Sequence, residues 1–329
     1  MTAELATLFV LAGVWLLVWG LAGGLLRLSW SGLEARTRDW HPADRAALLL
    51  ALALSPIALP TMVVLLGVAP GLAGVLLPAL DHCAAHPDHV HLCLVHPTAA
   101  LTPVLTALVL VAFLTLLMGG LSRAVGLFRA RRALPAIPRD GAPSRSAAVR
   151  LLASDRPFAW TVGWLRPRTL VSTTLARALS ASELEVVLAH EGEHVRRRDP
   201  LRRLLAGLGT RVAGARVQAT LLRAFDLATE RACDEAAAGF VGDRLRVAQA
   251  ILSVEAMVIG DHPEGAVAVG MGGSSVAARV ESLLAPPRAL QVWPGRRVGL
   301  VGVLALGLAA QIVHHQLEHL ITLVAMPGA

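Results

Sequence analysis

Two long stretches without a charged side chain, residues 5–26 and 46–80, limit what this chain can fold into. About twenty consecutive apolar residues in a helix cross the hydrocarbon core of a bilayer, so both stretches point to membrane-spanning structure. The first, closed by Arg27, lacks a basic leader and a small-residue cleavage site, and it reads as an anchor and not a cleaved signal. The second is interrupted by Pro56, Pro60 and Pro70 and is too long for one straight crossing. It predicts one kinked span plus an interfacial or re-entrant piece. Residues 101–121 form a third apolar run; a fourth, 298–313, follows Arg296 and Arg297 and continues in mixed form through 326. Of the 329 residues 55% are hydrophobic and only 16% charged, against the quarter usual in soluble domains. The fold class expected is a multi-span α-helical membrane protein, with about four transmembrane helices and one inserted soluble domain.

Charge gives this arrangement a direction. All 30 Lys+Arg positions are arginine, and they collect beside the apolar runs. Cationic loops stay in the cytoplasm. The loop 27–45 and the segment after Arg123 are therefore expected inside; the N-terminus, the arginine-free loop 81–100 and the C-terminal tail are expected outside. The chain then divides into a membrane region with three spans (1–128), a cytoplasmic domain (129–295), and a fourth transmembrane helix with a short external tail (296–329). This is the layout expected of a multi-pass membrane protein. The net charge of +7 anchors these spans, so no direct nucleic-acid binding is expected.

Within 129–295, residues 149–153 and 160–171 are β-prone pieces around turn residues. Ser180 with Glu183 three positions later forms a capping-box pattern, opening a helix that ends near Asp199-Pro200. That helix carries His190-Glu191-Gly192-Glu193-His194. Residues four apart share a helix face, so His190 and His194 can present two imidazoles to one ion. Glu191 is then placed to take a proton from the attacking water of a zinc-dependent peptide hydrolase. Catalytic zinc takes three protein ligands. Glu230, on a later helical segment (230–238), fits as the third, and Asp234 one turn on can orient a ligand imidazole from behind. The plain alternative for the motif alone is two surface histidines on a charged helix face. Cys233 lies about a hundred degrees off the Glu230/Asp234 face and is expected as a small buried residue. The region 201–225 reads as an amphipathic helix, either lying on the inner membrane surface or packed in the core. With no tyrosine in the chain, Arg279 and His262 are the candidates for oxyanion stabilisation. A strand at 158–163 either accepts an extended substrate at its edge or is an ordinary internal strand.

These residues resemble the BlaR/MecR-type membrane zinc metallopeptidases of the gluzincin group. The resemblance runs over about 149–240: Gly163-Trp164-Leu165-Arg166-Pro167, Leu179-Ser180, Glu183-Leu184, Leu188-Ala189-His190-Glu191, His194, Arg197-Arg198-Asp199-Pro200, and Glu230-Arg231-Ala232-Cys233-Asp234-Glu235, in the family's order. It implies an α+β gluzincin-type zinc domain inserted between the third and fourth spans on the cytoplasmic side. His190, His194 and Glu230 would bind one Zn2+ per chain, with Glu191 as base. In the family's antibiotic receptors an external penicillin-binding sensor follows the last span, and the protease acts against a DNA-binding repressor. Here the chain stops without that sensor, so β-lactam sensing is not expected, while a repressor-type protein substrate and regulatory, signalling proteolysis are. A homodimer is compatible with this reading. The competing readings are a housekeeping membrane protease of the HtpX/CAAX type, which usually carries alanine where this chain has Cys233, and a non-enzymatic membrane metal-sensing or signalling protein.

Eight of the 12 histidines fall on the expected outer side: His82, His86, His89, His91 and His96 in one loop, and His314, His315 and His319 near the last span's outer end. With Cys83 and Cys93 they are candidates for external zinc or copper binding or for acid sensing. The alternative is a polar loop closed by a Cys83–Cys93 disulfide.

Overall fold

A computed structural model of the chain describes residues 3–76, 149–260, 272–289 and 308–319. Among these the protein is mostly helical, with two long apolar helices and a small mixed sheet. The two helices are α1 (Ala3–Thr37) and α2 (Pro42–Leu76). Both are long and apolar enough to cross a membrane, and only 22% of each apolar window is buried by protein. Helices of a soluble core bury most of such a surface, so this is the pattern of membrane association. The expected third span, and most of the fourth, lie outside the described residues.

In the run at 46–80, where the sequence predicts one kinked span plus an interfacial or re-entrant piece, the described residues form one helix, α2, which continues through Pro56, Pro60 and Pro70 to Leu76. All three prolines are buried, and with Ala46, Leu49, Ala53 and Gly67 they follow a spacing of three, four or seven. They therefore share the protein-facing stripe, where neighbouring groups can compensate the hydrogen bonds that proline removes.

The chain divides into two compact units. One comprises Met1–Leu25, Ser55–Pro135 and Trp293–Ala329. Its described part holds an apolar cluster around Val14 and Leu317. Residues 308–319 are helical, and His314 is buried there, with Nδ1–H donating to Gly67 O at 2.5 Å and Nε2 3.1 Å from Glu318 Oε1.

The other unit comprises Leu26–Leu54 and Ala136–Val292. It contains β1 (Val149–Leu152), β2 (Ala159–Val162) and β3 (Arg168–Ser172) in the order β1-β3-β2. β3 is central, parallel to β1 and antiparallel to β2, with Thr161 opposite Thr169. Residues Thr169, Leu170, Val171 and Ser172 are buried, as a strand covered on both faces requires. Gly163 starts the β2–β3 turn at φ 99°, where a Cβ would stand 2.9 Å from Arg166 O; only glycine closes this turn.

After α3 (Thr173–Ala178), the capping box forms as the sequence expects: Glu183 N–H donates to Ser180 Oγ and Ser180 N–H to Glu183 Oε2. It opens α4 (Ala181–Arg197). Arg198, at φ 55°, ends α4 and turns the chain straight into α5 (Asp199–Gly209), with Pro200 in its first turn. The amphipathic region 201–225 does not form one helix. A short 3-10 turn, Thr210–Ala213, and Gly214 at φ 91° break it, and α6 runs from Ala215 to Val241. No glycine or proline separates Phe225 from Glu230, so the segment carrying Glu230 is the continuation of that helix. Helices α7 (Arg244–Gly260) and α8 (Gly272–Leu284) complete the unit.

Three apolar clusters hold it. Val171, Leu175 and Leu179 join the sheet to α3 and α4. Val186, Ala237, Val247, Ala250 and Leu283 join α4, α6, α7 and α8. The largest joins Leu26, Trp30, Ala46, Leu49 and Ala53 to Ala206, Leu221, Phe225 and Ala228. At its edge Gly209 lies so close to Ala53 that a Cβ would overlap the Ala53 carbonyl.

Candidate metal centre

Helices α4 and α6 bring three donor atoms together. His190 Nε2 and His194 Nε2 are 3.1 Å apart, and Glu230 lies 3.5 Å from the first and 3.4 Å from the second. Ligand atoms around one tetrahedral zinc, each about 2.0–2.1 Å from the ion, stand about 3.3 Å from each other. The three separations fit that polygon.

The outward nitrogens explain which way the rings face. His190 Nδ1 is 2.9 Å from Asp234 Oδ1, and His194 Nδ1 is 2.9 Å from Asp199 Oδ2. A carboxylate behind each ring fixes the tautomer with Nδ1–H outward and the Nε2 lone pair inward. Two lone pairs aimed at each other across 3.1 Å repel unless a cation or a proton lies between them. Burial lowers both imidazole pKa values, but the carboxylates outweigh it: Asp234 and Glu230 push His190 up to about 9, and Asp199 with Cys233 and Glu230 raises His194. The same pairing keeps Glu230 well below the usual carboxylate range despite burial, and Asp234 and Asp199 are lowered too. Without metal the rings hold protons, which a divalent cation displaces.

Arg279 of α8 closes the far side. Its Nε and Nη2 donate to the two oxygens of Asp234 at 2.8 and 2.7 Å, and its Nη1 is 3.2 Å from Glu230 Oε2. Two arginines hold α8 there: Arg231 donates to Ala278 O at 3.1 and 2.8 Å, and Arg244, paired with Glu235, donates to Ser282 O and Leu283 O.

Glu191 is buried, and Thr161 Oγ1–H of β2 donates to its Oε2 at 2.6 Å. Glu193 is taken up by Arg196 in an ion pair. Cys233 is fully buried, with Sγ 3.5 Å from His194 Nδ1 and 3.7 Å from Asp199 Oδ2. It packs against the back of the His194–Asp199 pair; burial pushes its thiol pKa up to about 11.

A cleft of about 630 Å3 opens over these groups. Strand β2 forms one wall, and Val187, Ile251, Val254 and Val276 give it an apolar lining. Among the described residues β2 pairs only with β3, so its other edge is free.

Of the residues singled out in the sequence, the structure brings together His190, Glu191, His194, Glu230, Asp234 and Arg279. His82, His86, His89, His91, His96, Cys83, Cys93 and His262 lie outside the described residues. His314 is internal, and the exposed His315 and His319 meet edge to face with ring centres 4.7 Å apart. Sequence reasoning missed two contributors. In the sequence Asp199 reads as a helix stop, although an acid five residues past the second histidine is the available signal for its contact. Thr161 carries no local signal, because only tertiary packing places β2 beside α4.

Residues 129–264 match the sequence profile of peptidase family M48. No curated protein and no solved structure matches the chain. The matched stretch is an M48 peptidase domain, the chain is a zinc metalloendopeptidase, and its cofactor is zinc, with His190, His194 and Glu230 as the group that fits it. The match extends to the peptidase family and does not specify a BlaR/MecR-type subgroup. Arg279 lies beyond its end.

Proposed function

We propose that this protein is a BlaR/MecR-like regulatory endopeptidase that cuts a protein substrate, of the DNA-binding repressor type, at the cytoplasmic face of a bacterial inner membrane. In this reading the membrane part has four spans, with both termini outside. The observation that carries the proposal is the convergence of His190, His194 and Glu230 within 3.1–3.5 Å, next to Glu191 and a free strand edge.

When bound, zinc supplies a Lewis acid that polarises the scissile carbonyl and acidifies water. The rest of the chemistry belongs to the chain. An extended peptide adds to the open edge of β2, and its main-chain groups fix the register. An apolar side chain of that peptide fills the wall made by Val187, Ile251, Val254 and Val276. Glu191 takes the proton of the attacking water and returns it to the leaving amine. Thr161 holds Glu191 Oε2, which leaves Oε1 for that proton. Asp234 and Asp199 keep the two Nε2 lone pairs inward. Arg279 acts as a positioning residue, balancing the charge of Asp234 and Glu230.

Glu191→Gln in the full-length protein tests this. The variant should retain zinc, lose proteolysis and capture one cytoplasmic DNA-binding protein by crosslinking. Broad capture of unrelated membrane proteins would favour the housekeeping reading. Normal zinc content with every wild-type phenotype intact would favour a non-enzymatic role.

A further inference from the structure

A second cavity, of about 360 Å3, lies in the same compact unit and shares no lining residue with the cleft over the metal centre. It is formed by the end of α1, the start of α2 and one side of α6, and its charged lining is Arg38, Arg45, Arg223 and Arg231 against one acid, Glu34. Its volume falls at the small end of the range of ligand sites, about 300–1,000 Å3.

Arg45 is the telling residue. It is 6% exposed, its Nε is buried without a hydrogen-bond partner, and among the described residues it forms no ion pair. A buried guanidinium with an unused donor is costly unless something charged meets it. Its position adds to the cost: Arg45 stands in the first turn of α2, where the helix dipole favours anions over cations. Arg38 and Arg223 are exposed and, among the described residues, also lack ion pairs. Arg231 uses Nε and Nη2 on the Ala278 carbonyl, a neutral partner. Arg288 and the acids Glu281 and Asp234 stand near it. Arg288 itself is 3.8 Å from Asp39. The acids around the cavity leave its cationic charge in excess.

Guanidinium forks match phosphate oxygens, and basic pockets on the polar side of membrane helices take anionic headgroups. We propose that this cavity is a binding site for a phosphate group, carried by an anionic phospholipid or by a soluble phosphorylated ligand. The connection between two apolar, membrane-length helices contributes Arg38 and closes in the first turn that carries Arg45, which puts lipid headgroups within reach. The site also adjoins the catalytic one along the chain. Arg231 follows Glu230 directly and holds the helix that carries Arg279, so an occupant of the cavity braces α6 and α8 against each other.

The test uses the full-length protein with two probes. In detergent, short-chain phosphatidylglycerol is titrated against its phosphatidylcholine analogue by native mass spectrometry. In nanodiscs of phosphatidylcholine alone, inorganic pyrophosphate is titrated by calorimetry. Saturable binding of the anionic lipid alone identifies a headgroup site, and saturable binding of pyrophosphate identifies a soluble ligand; either supports the proposal. Each arginine removed should weaken binding about fivefold, so Arg38→Gln with Arg223→Gln should cost about 25-fold. A control pair at exposed positions outside the cavity lining, Arg168→Gln with Arg177→Gln, should change affinity less than twofold. Arg45→Met, which keeps the volume, should abolish binding while the ligand-free melting temperature holds or rises. No saturable binding by either probe overturns the proposal, as do equal losses in the test and control pairs. A lowered melting temperature for Arg45→Met with lipid binding unchanged would make Arg45 a structural residue and overturn it too.

Discussion

Replacing Asp234 by Asn separates charge from shape at the carboxylate on which the metal centre leans most. Asp234 is 1% exposed, accepts from His190 Nδ1 at 2.9 Å and holds Arg279 through two bonds of 2.7 and 2.8 Å. Asn keeps the volume but leaves Arg279 with one carboxylate, Glu230, at 3.2 Å. Removing one partner of a buried pair costs about 3–5 kcal/mol. Arg279 keeps some solvent and keeps Glu230, which argues for the lower end, about 3 kcal/mol, or about 6–12 °C in melting temperature for a domain of this size. Zinc affinity should fall about 10- to 100-fold, because His190 loses the carboxylate charge behind it, the one remaining oxygen is shared with Arg279, and Arg279 turns onto a ligand carboxylate. The assay is a double-mutant cycle of Asp234→Asn and Arg279→Gln, with melting followed in EDTA and zinc affinity read by chelator competition. Arg279→Gln alone should also destabilise, since Asp234 then stays buried opposite His190 only. Together the two amides can hydrogen-bond, so the double variant should recover about 1.5–3 kcal/mol relative to the sum of the single losses. Additive melting shifts, or zinc affinities within threefold of wild type in both single variants, would refute the argument that one network serves ligand and fold together.

Three other outcomes are expected. Glu191→Gln should lower turnover about 10²- to 10⁴-fold, and Thr161→Val about tenfold, with stoichiometric zinc in both by elemental analysis. His190 rises from 6.5 to about 9 in the metal-free fold, so its stabilising contribution is complete below 6.5 and is lost as pH climbs through 9. Zinc needs the neutral ring, so its apparent affinity should rise about tenfold per pH unit for each proton displaced up to that point; a flat chelator-competition profile between pH 6 and 9 would contradict this. Gly209→Ala should cost about 1–3 kcal/mol, seen as a lower melting temperature, because its Cβ overlaps the backbone of Ala53.

Much of the site was legible because its signals are local. The two histidines follow helical spacing, the Ser180–Glu183 box fixes where α4 begins, and Asp234 lies one turn beyond Glu230 on the same helix. What was not legible depends on packing between elements distant in sequence. Nothing near Thr161 indicates that its hydroxyl will meet a carboxylate 30 positions later, and nothing near Arg279 indicates that α8 will be drawn over α6 by Arg231 and Arg244. The break between α5 and α6 was misplaced for a different reason. Apolar periodicity continues across Gly214, and the 3-10 turn Thr210–Ala213 with the positive φ of Gly214 separates the two helices. The prolines of α2 suggest a separate interfacial piece after the span, whereas in an apolar setting they lie on the buried face and the helix runs on through them to Leu76.

Helix α6 spans about 40 Å at the usual rise, and its two halves have different neighbours. Leu221, Phe225 and Ala228 are covered by Leu26, Trp30, Leu49 and Ala53, while Glu230 and Asp234, within two turns, serve the metal centre. The peptidase therefore cannot be excised at the start of its matched stretch and remain intact. A fragment starting at residue 129 would carry the metal-binding end of a rod whose other end, stripped of residues 26–54, presents bare leucine and phenylalanine to water. Such a fragment should aggregate or drift at Glu230, and adding back residues 26–54 should restore it.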